Sequence, residues 1–153
     1  TFAQGPSRPR VDPSRAKEVF EDMRPLRILL AEDNQINRIY VSKLLRNAGH
    51  EIDLAADGQE ALEALARKPY DLILMDVQMP VMDGVAATRR IRASEDPAVR
   101  NIPIIALTAY AMDGDRERLL KEGMDDYLSK PVDKERLIQV IARIAGASLL
   151  ARN

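Results

Sequence analysis

Apolar runs along this chain end in residues suited to a hard cation and a phosphoryl group. Leu29-Leu30-Ala31 runs into Glu32-Asp33, Leu72-Ile73-Leu74-Met75 into Asp76, Ile104-Ile105-Ala106-Leu107 into Thr108, and Tyr127-Leu128-Ser129 into Lys130-Pro131. Clustered carboxylates repel one another, so Glu32, Asp33 and Asp76 share a reason to exist if a cation joins them. Hard oxygen donors that leave room for water and phosphate suit Mg²⁺. Phosphoryl transfer asks of a protein a nucleophile, in-line positioning and neutralised oxygens. Asp76 is the candidate nucleophile, Lys130 a point charge for the phosphoryl oxygens, and Thr108 a hydroxyl donor to another of them. Pro131 stands in the one common cis context and is the candidate cis residue that would aim Lys130 inward. An acid after a strand often does no more than cap a helix, and Asp33 taken alone reads equally well that way. Asp76 does not, because Val77-Gln78-Met79-Pro80 is no helix start. The set is far more specific than any of its members.

The elements that must position these residues alternate. Nearly continuous apolar strands are expected at Arg27 to Ala31, Leu72 to Asp76 and Ile104 to Leu107, with a second strand at Glu51 to Ala55 and a short fifth one at Asp126 to Ser129. Helices are expected from Asn34 to about Asn47, Asp57 to about Arg67, Gly84 to Ala93, about Asp113 to Glu122, and from Asp133 onward. In the first of these, Ile36, Ile39, Tyr40, Lys43 and Leu44 are spaced for a buried stripe. In the last, Leu137, Val140, Ile141 and Ile144 are so spaced. Strands each followed by a helix predict an α/β fold, a doubly wound five-stranded parallel sheet. The second strand ends in Ala55-Ala56 while the other four end in charged or hydroxyl groups. Placing it at the edge, in order 2-1-3-4-5 (the flavodoxin-like (βα)5 winding), lets those four ends converge at the topological switch point.

Residues 1–25 differ, with Pro6, Pro9, Pro13 and Pro25 among Arg8, Arg10, Arg15 and Arg24. They read as a linker with a short helix over 13–23, begun by Asp12-Pro13, that would bring Ala16, Val19, Phe20 and Met23 to one side. The folded domain is expected over 26–146 and a C-terminal tail over 147–153. With no Cys, disulfides and thiolate zinc sites are excluded. A formal net charge of -1 recruits neither nucleic acid nor an anionic membrane, and no apolar run suits a bilayer span. These properties predict a cytoplasmic chain, with the cytoplasmic part of a larger membrane-anchored protein as the other form. Other acids fall in the wrong place: Asp71 and Asp125-Asp126 stand at the amino ends of strands, Asp53 suits the exposed face of an edge strand, and Asp83 reads as a cap. His50, the single histidine, reads as a surface turn residue at the far end of the sheet, so any phosphohistidine donor must be external.

The runs AEDNQINR at 31–38, DVQMPVMDG at 76–84, IPIIALTA at 102–109 and GMDDYLSKP at 123–131 resemble the receiver (response-regulator, CheY-like) family of two-component signalling, most of all receivers attached to hybrid sensor histidine kinases. The resemblance implies that Asp76 is the phosphoacceptor and that Glu32, Asp33, Asp76 and the Gln78 backbone carbonyl hold Mg²⁺, with Mn²⁺ as a substitute. It implies that Thr108 and Lys130 contact the phosphoryl group and that Tyr127 is the aromatic that follows Thr108. Gln78 and Tyr110 match positions that tune phosphoryl lifetime. Such a domain is not a conventional enzyme, since it only assists its own phosphorylation and dephosphorylation. Its implied partners are a histidine kinase domain, in cis or in trans, and a histidine phosphotransfer protein, with output through the face formed by about Asp113 to Ile144. The competing reading is a Mg²⁺-dependent small-molecule phosphatase or phosphotransferase on the same winding. Gln78 stands where such enzymes usually carry a second catalytic acid. A nucleotide- or flavin-binding domain is disfavoured because neither GxxxxGK[ST] nor GxGxxG occurs.

Overall fold

In the computed structural model, residues 13–109 and 114–146 are described. A 3₁₀ turn at Pro13–Arg15 leads into α1 (Ala16–Asp22), followed by β1 (Arg27–Ala31), α2 (Gln35–Asn47), β2 (Glu51–Ala55), α3 (Gly58–Arg67) and β3 (Leu72–Asp76). Then come α4 (Gly84–Arg92), α5 (Pro97–Arg100), β4 (Ile104–Thr108), α6 (Asp115–Lys121), β5 (Asp126–Ser129) and α7 (Lys134–Ile141), which runs on as a π-helical turn to Gly146. The strands form one parallel sheet in the order β2-β1-β3-β4-β5. The linker residues 1–12, the segment 110–113 with Tyr110, and the tail 147–153 lie outside the described residues.

Alternation along the strands divides the core into two layers. Ile28, Leu30, Leu72, Leu74, Ile105, Leu107 and Leu128 face α1, α2 and α7. Leu29, Ala31, Ile73, Met75, Ile104 and Ala106 face α3, α4 and α6. Side-chain caps start the helices: Asn34, Asp57, Asp83, Asp96 and Asp133 each accept a backbone N–H from the first turn that follows. At α3, Glu60 answers by accepting the Ala56 N–H at 2.9 Å, so two orphan donors are satisfied. The short α5 escaped the sequence reading although Asp96-Pro97 carries the same cap-then-proline signal as Asp12-Pro13.

Two expectations are corrected. The inward face of α2 is formed by Val41, Ser42 and Leu45 with Leu44 beside them, whereas Ile36, Ile39 and Tyr40 are 76%, 58% and 46% exposed. The helix carries two apolar stripes, and the other one joins the core layer that holds residues of β1, β2 and α7. His50 is not a surface residue: it is 5% exposed, its Nδ1 accepts the Leu26 N–H at 3.0 Å, and Phe20 of α1 meets its ring edge-on at 5.3 Å. The reason is α1 itself, which docks with Ala16 and Phe20 buried, and Val19 and Met23 half-buried, against the layer containing α7. Burial holds the His50 imidazole below its ordinary pKa.

Candidate functional site

Strand register brings the site together. Ala31 pairs with Met75, so Glu32 and Asp76, each one residue further on, leave neighbouring strands at the same level. Thr108 pairs with Ser129, and the Lys130 N–H donates to the Thr108 carbonyl at 2.8 Å, which places Lys130 beside the end of β4. The Lys130–Pro131 peptide bond is cis.

Lys130 joins two carboxylates. Its Nζ donates to Asp76 Oδ2 at 2.7 Å and to Glu32 Oε1 at 2.9 Å. Asp76 Oδ1 accepts the Gln78 N–H at 3.1 Å. Glu32 Oε2 accepts the Asn34 N–H at 3.1 Å, and Asn37 Nδ2 donates to Oε1 at 3.3 Å. Glu32 and Asp76 are 1% and 2% exposed, while Asp33 is open to solvent, and the three can bring oxygens within 4.8 Å of one another. An open cleft over them is lined by Asp33, Asn34, Asn37, Gln78, Ala109 and Lys130, among others.

Electrostatics divide the carboxylates. Burial, followed by the neighbouring Glu32, pushes Asp76 up to about 7, and Lys130 only partly opposes this. Burial acts upward on Glu32 too, yet bonds from Asp76, Lys130 and the Asn34 N–H carry it below the usual glutamate value. Burial works against the Lys130 ammonium, but its bonds to Asp76 and Glu32 more than offset that and hold it above the ordinary lysine value. Three carboxylates facing one ammonium leave an excess of negative charge in a half-dry cleft. Hard, crowded oxygens of that kind match a divalent cation.

Thr108 ends β4 and is buried at 5% exposure. Tyr127 lies on β5, half-buried, and packs against the layer on the α3, α4 and α6 side. The loop after Asp76 is tightly built. Gly84 N–H donates to the Val77 carbonyl at 3.0 Å, and a Cβ on Gly84 would fall 2.2 Å from the Asp76 carbonyl oxygen. Only glycine permits that approach. In the same loop Val81 holds φ at +69° while 83% exposed, an unusual conformation for a β-branched residue. Its neighbour Met82 anchors the loop by accepting the Gly58 N–H at 2.8 Å.

The remaining acids have structural partners. Asp71 accepts the Arg27 N–H and pairs with Arg24, and Asp125 accepts the Ile104 N–H and pairs with Arg92. Buried Asp126 pairs with Arg116 and Arg143, and Asp53 binds Lys68 and the Tyr70 hydroxyl. Asp83 caps α4. Sequence reasoning missed Asn34 and Asn37 as partners of Glu32; the only signal was their placement two and five residues after it.

Residues 28–142 match the response regulator receiver domain family. The chain is 45% identical over 126 residues to sensor protein GacS of Pseudomonas syringae pv. syringae, covering 80% of this chain and 14% of that protein. It is 44% identical over 124 residues to hybrid signal transduction histidine kinase I of Dictyostelium discoideum, covering 78% of this chain and 7% of the relative. The chain thus spans a small fraction of these relatives' lengths. The crystal structure of the receiver domain of sensor histidine kinase PA1611 from Pseudomonas aeruginosa PAO1, with a magnesium ion coordinated in its active-site cleft, superposes with a TM-score of 0.73 at 46% identity, covering 80% of this chain and 99% of that one. The Saccharomyces cerevisiae Ssk1 receiver domain, co-crystallised with the histidine phosphotransfer protein Ypd1, gives 0.73 at 32% identity, covering 81% and 91%.

Proposed function

The chain belongs to the response regulator receiver family, and from that premise we propose that Asp76 accepts a phosphoryl group from a phosphohistidine. The observation that carries this reading is the setting of Asp76. It is buried at the bottom of an open cleft, with one oxygen on the Gln78 N–H and the other on the Lys130 ammonium. Glu32, Asp33 and Asp76, with the Gln78 carbonyl, would hold Mg²⁺, for which Mn²⁺ can stand in. When bound, the metal supplies charge neutralisation at the phosphoryl oxygens. An Asp76 carboxylate oxygen attacks phosphorus, the P–N bond to the donor imidazole breaks, and that imidazole leaves with the electron pair and takes up a proton. Lys130, already oriented by Glu32, turns a donor to a phosphoryl oxygen, and the Thr108 hydroxyl donates to another. The Thr108 move is transmitted to Tyr127, and the resulting shift in population alters the output face between α6 and α7.

The donor is a protein domain, and the exposed apolar stripe of α2 supports that. Ile36, Ile39 and Tyr40 rise from the helix that begins at the Asp33-Asn34 lip of the cleft. The reading assigns them to docking of a histidine kinase domain, in cis or in trans, and of a histidine phosphotransfer protein. It assigns residues 26–146 to the receiver unit of a longer hybrid kinase and places that unit on the cytoplasmic side. Among the described residues no helix is long and apolar enough to cross a membrane.

Acetyl phosphate with Mg²⁺ tests the acceptor. A mass increase of one phosphoryl group in the wild type that is lost in Asp76→Asn is expected. No increase, or an undiminished one in the variant, defeats the reading. Ile36→Lys is expected to slow transfer from a phosphorylated phosphotransfer protein at least tenfold while leaving acetyl phosphate labelling unchanged.

A further inference from the structure

We infer that Gly58, the first residue of α3, is a positioning residue for the Mg²⁺ site: it seats the loop that carries the Gln78 carbonyl. Glycine is a poor helix former, and Gly58 opens α3 without needing a positive φ. What it supplies is room. A Cβ at this position would stand 2.6 Å from the Met82 carbonyl oxygen and 3.0 Å from Ala87 Cβ. The space lets the Gly58 N–H, one of the donors that a helix start leaves unpaired, reach that same carbonyl at 2.8 Å.

The contact bears on a turn that is costly to hold. The Met82 N–H donates back to the Pro80 carbonyl at 2.7 Å with Val81 at φ +69° between them, the rare γ-turn of positive φ. The base of the loop is pinned: the Val77 N–H donates to the Leu107 carbonyl on β4 at 2.9 Å, and the Gly84 N–H closes onto the Val77 carbonyl at 3.0 Å. Gln78 and Met79 lie between that base and the turn. A side chain at position 58 therefore has to move either α3 or the turn. Buried Ala61, Ala64 and Leu65 fix α3, as does the reciprocal cap of Asp57 and Glu60, whereas Pro80, Val81 and Asp83 are exposed. The turn yields, and Gln78 and Met79 take up the displacement. Mg²⁺ demands near-ideal octahedral geometry, so a ligand carbonyl shifted even slightly holds it less well.

This inference rests on the Mg²⁺-dependent acceptor reading, and its test separates the two. Mg²⁺ is titrated calorimetrically into the unphosphorylated wild type, Gly58→Ala and Phe20→Ala, with urea midpoints recorded for each. Phe20 packs on His50 at the far end of the sheet, so Phe20→Ala reports what lost stability alone does to the site. Gly58→Ala should weaken Mg²⁺ binding about tenfold, the lower end for disturbing the groups that support a metal ligand, while Phe20→Ala stays within about twofold of wild type. In acetyl phosphate labelling of Gly58→Ala, the Mg²⁺ concentration for half-maximal rate should rise by the same factor, with the rate at saturating Mg²⁺ within about twofold of wild type. Should Gly58→Ala fold too poorly to titrate, Gly58→Ala/Val81→Gly takes its place, since glycine relieves the positive φ, and it should show the same weakening. Unchanged Mg²⁺ affinity in the Gly58 variant, or an equal loss in Phe20→Ala, makes Gly58 a packing residue and overturns the inference. A wild type that neither binds Mg²⁺ nor is labelled defeats the acceptor reading itself.

Discussion

Replacing Asp76 by Asn should stabilise the metal-free chain, and increasingly so as pH rises. The Asp76 carboxyl titrates at about 7 in the folded chain against an ordinary 3.8. Between those values the folded state holds a proton that the unfolded state has released. The stability this confers is fully present below the unfolded value and is lost as pH rises through about 7. A displacement of about three pH units, at about 1.4 kcal/mol each, sets an upper bound of about 4 kcal/mol. Glu32 moves the other way and returns part of it, since its lowered pKa contributes stability above the glutamate range. A net gain of about 2 kcal/mol for Asp76→Asn at pH 8 follows, falling to less than about half of that at pH 5 and toward zero only below about pH 4, where the carboxyl is protonated in both states. Urea denaturation in EDTA at the two pH values measures it. Saturating Mg²⁺ should narrow the gap, because it binds and stabilises the wild type preferentially. Equal stability of the two proteins at pH 8 in EDTA, or the same gain at pH 5 as at pH 8, would refute the reasoning.

The other expectations follow from packing. Phe20→Ala should cost about 3 kcal/mol, the range for emptying a buried aromatic site, and a loss below about 1 kcal/mol in urea would show that α1 adds little to the core. His50 is held below its ordinary pKa, so its contribution is present above about pH 6.5 and is lost as pH falls. In an Asp76→Asn background, which removes the opposing slope, His50→Asn should flatten the stability decline between pH 7 and 5; an unchanged slope contradicts this. Gly84→Ala forces a Cβ against the Asp76 carbonyl and should destabilise by about 1–3 kcal/mol while slowing acetyl phosphate labelling, and wild-type values for both would show that the loop relaxes freely.

Much of the site was legible because its residues follow their strands directly. In a parallel sheet every strand's carboxyl end lies on one side, so Glu32, Asp33, Asp76, Thr108 and Lys130 could be placed together from strand boundaries alone. The strand order was legible for the same reason: Ala55-Ala56 marks the one strand whose end carries no chemistry. Helix caps were local too, since Asn34, Asp57, Asp83 and Asp133 bond within their own first turns.

What depended on contacts between distant segments was not legible. Periodicity marks two apolar stripes on α2, but only its packing into the core layer decides that Val41 and Leu45 turn inward and that Ile36, Ile39 and Tyr40 face out. His50 looks like a turn residue until α1, thirty residues earlier in the chain, places Phe20 over it. The sequence by itself determined which groups meet at the carboxyl end of the sheet. Only the tertiary structure decided that one ammonium is shared by Glu32 and Asp76, that Asp76 holds its proton the more strongly, and that the Asn37 amide donates to Glu32 Oε1. The physical reason is that hydrogen bonds and burial depend on separations of a few ångströms between side chains that lie far apart in the sequence.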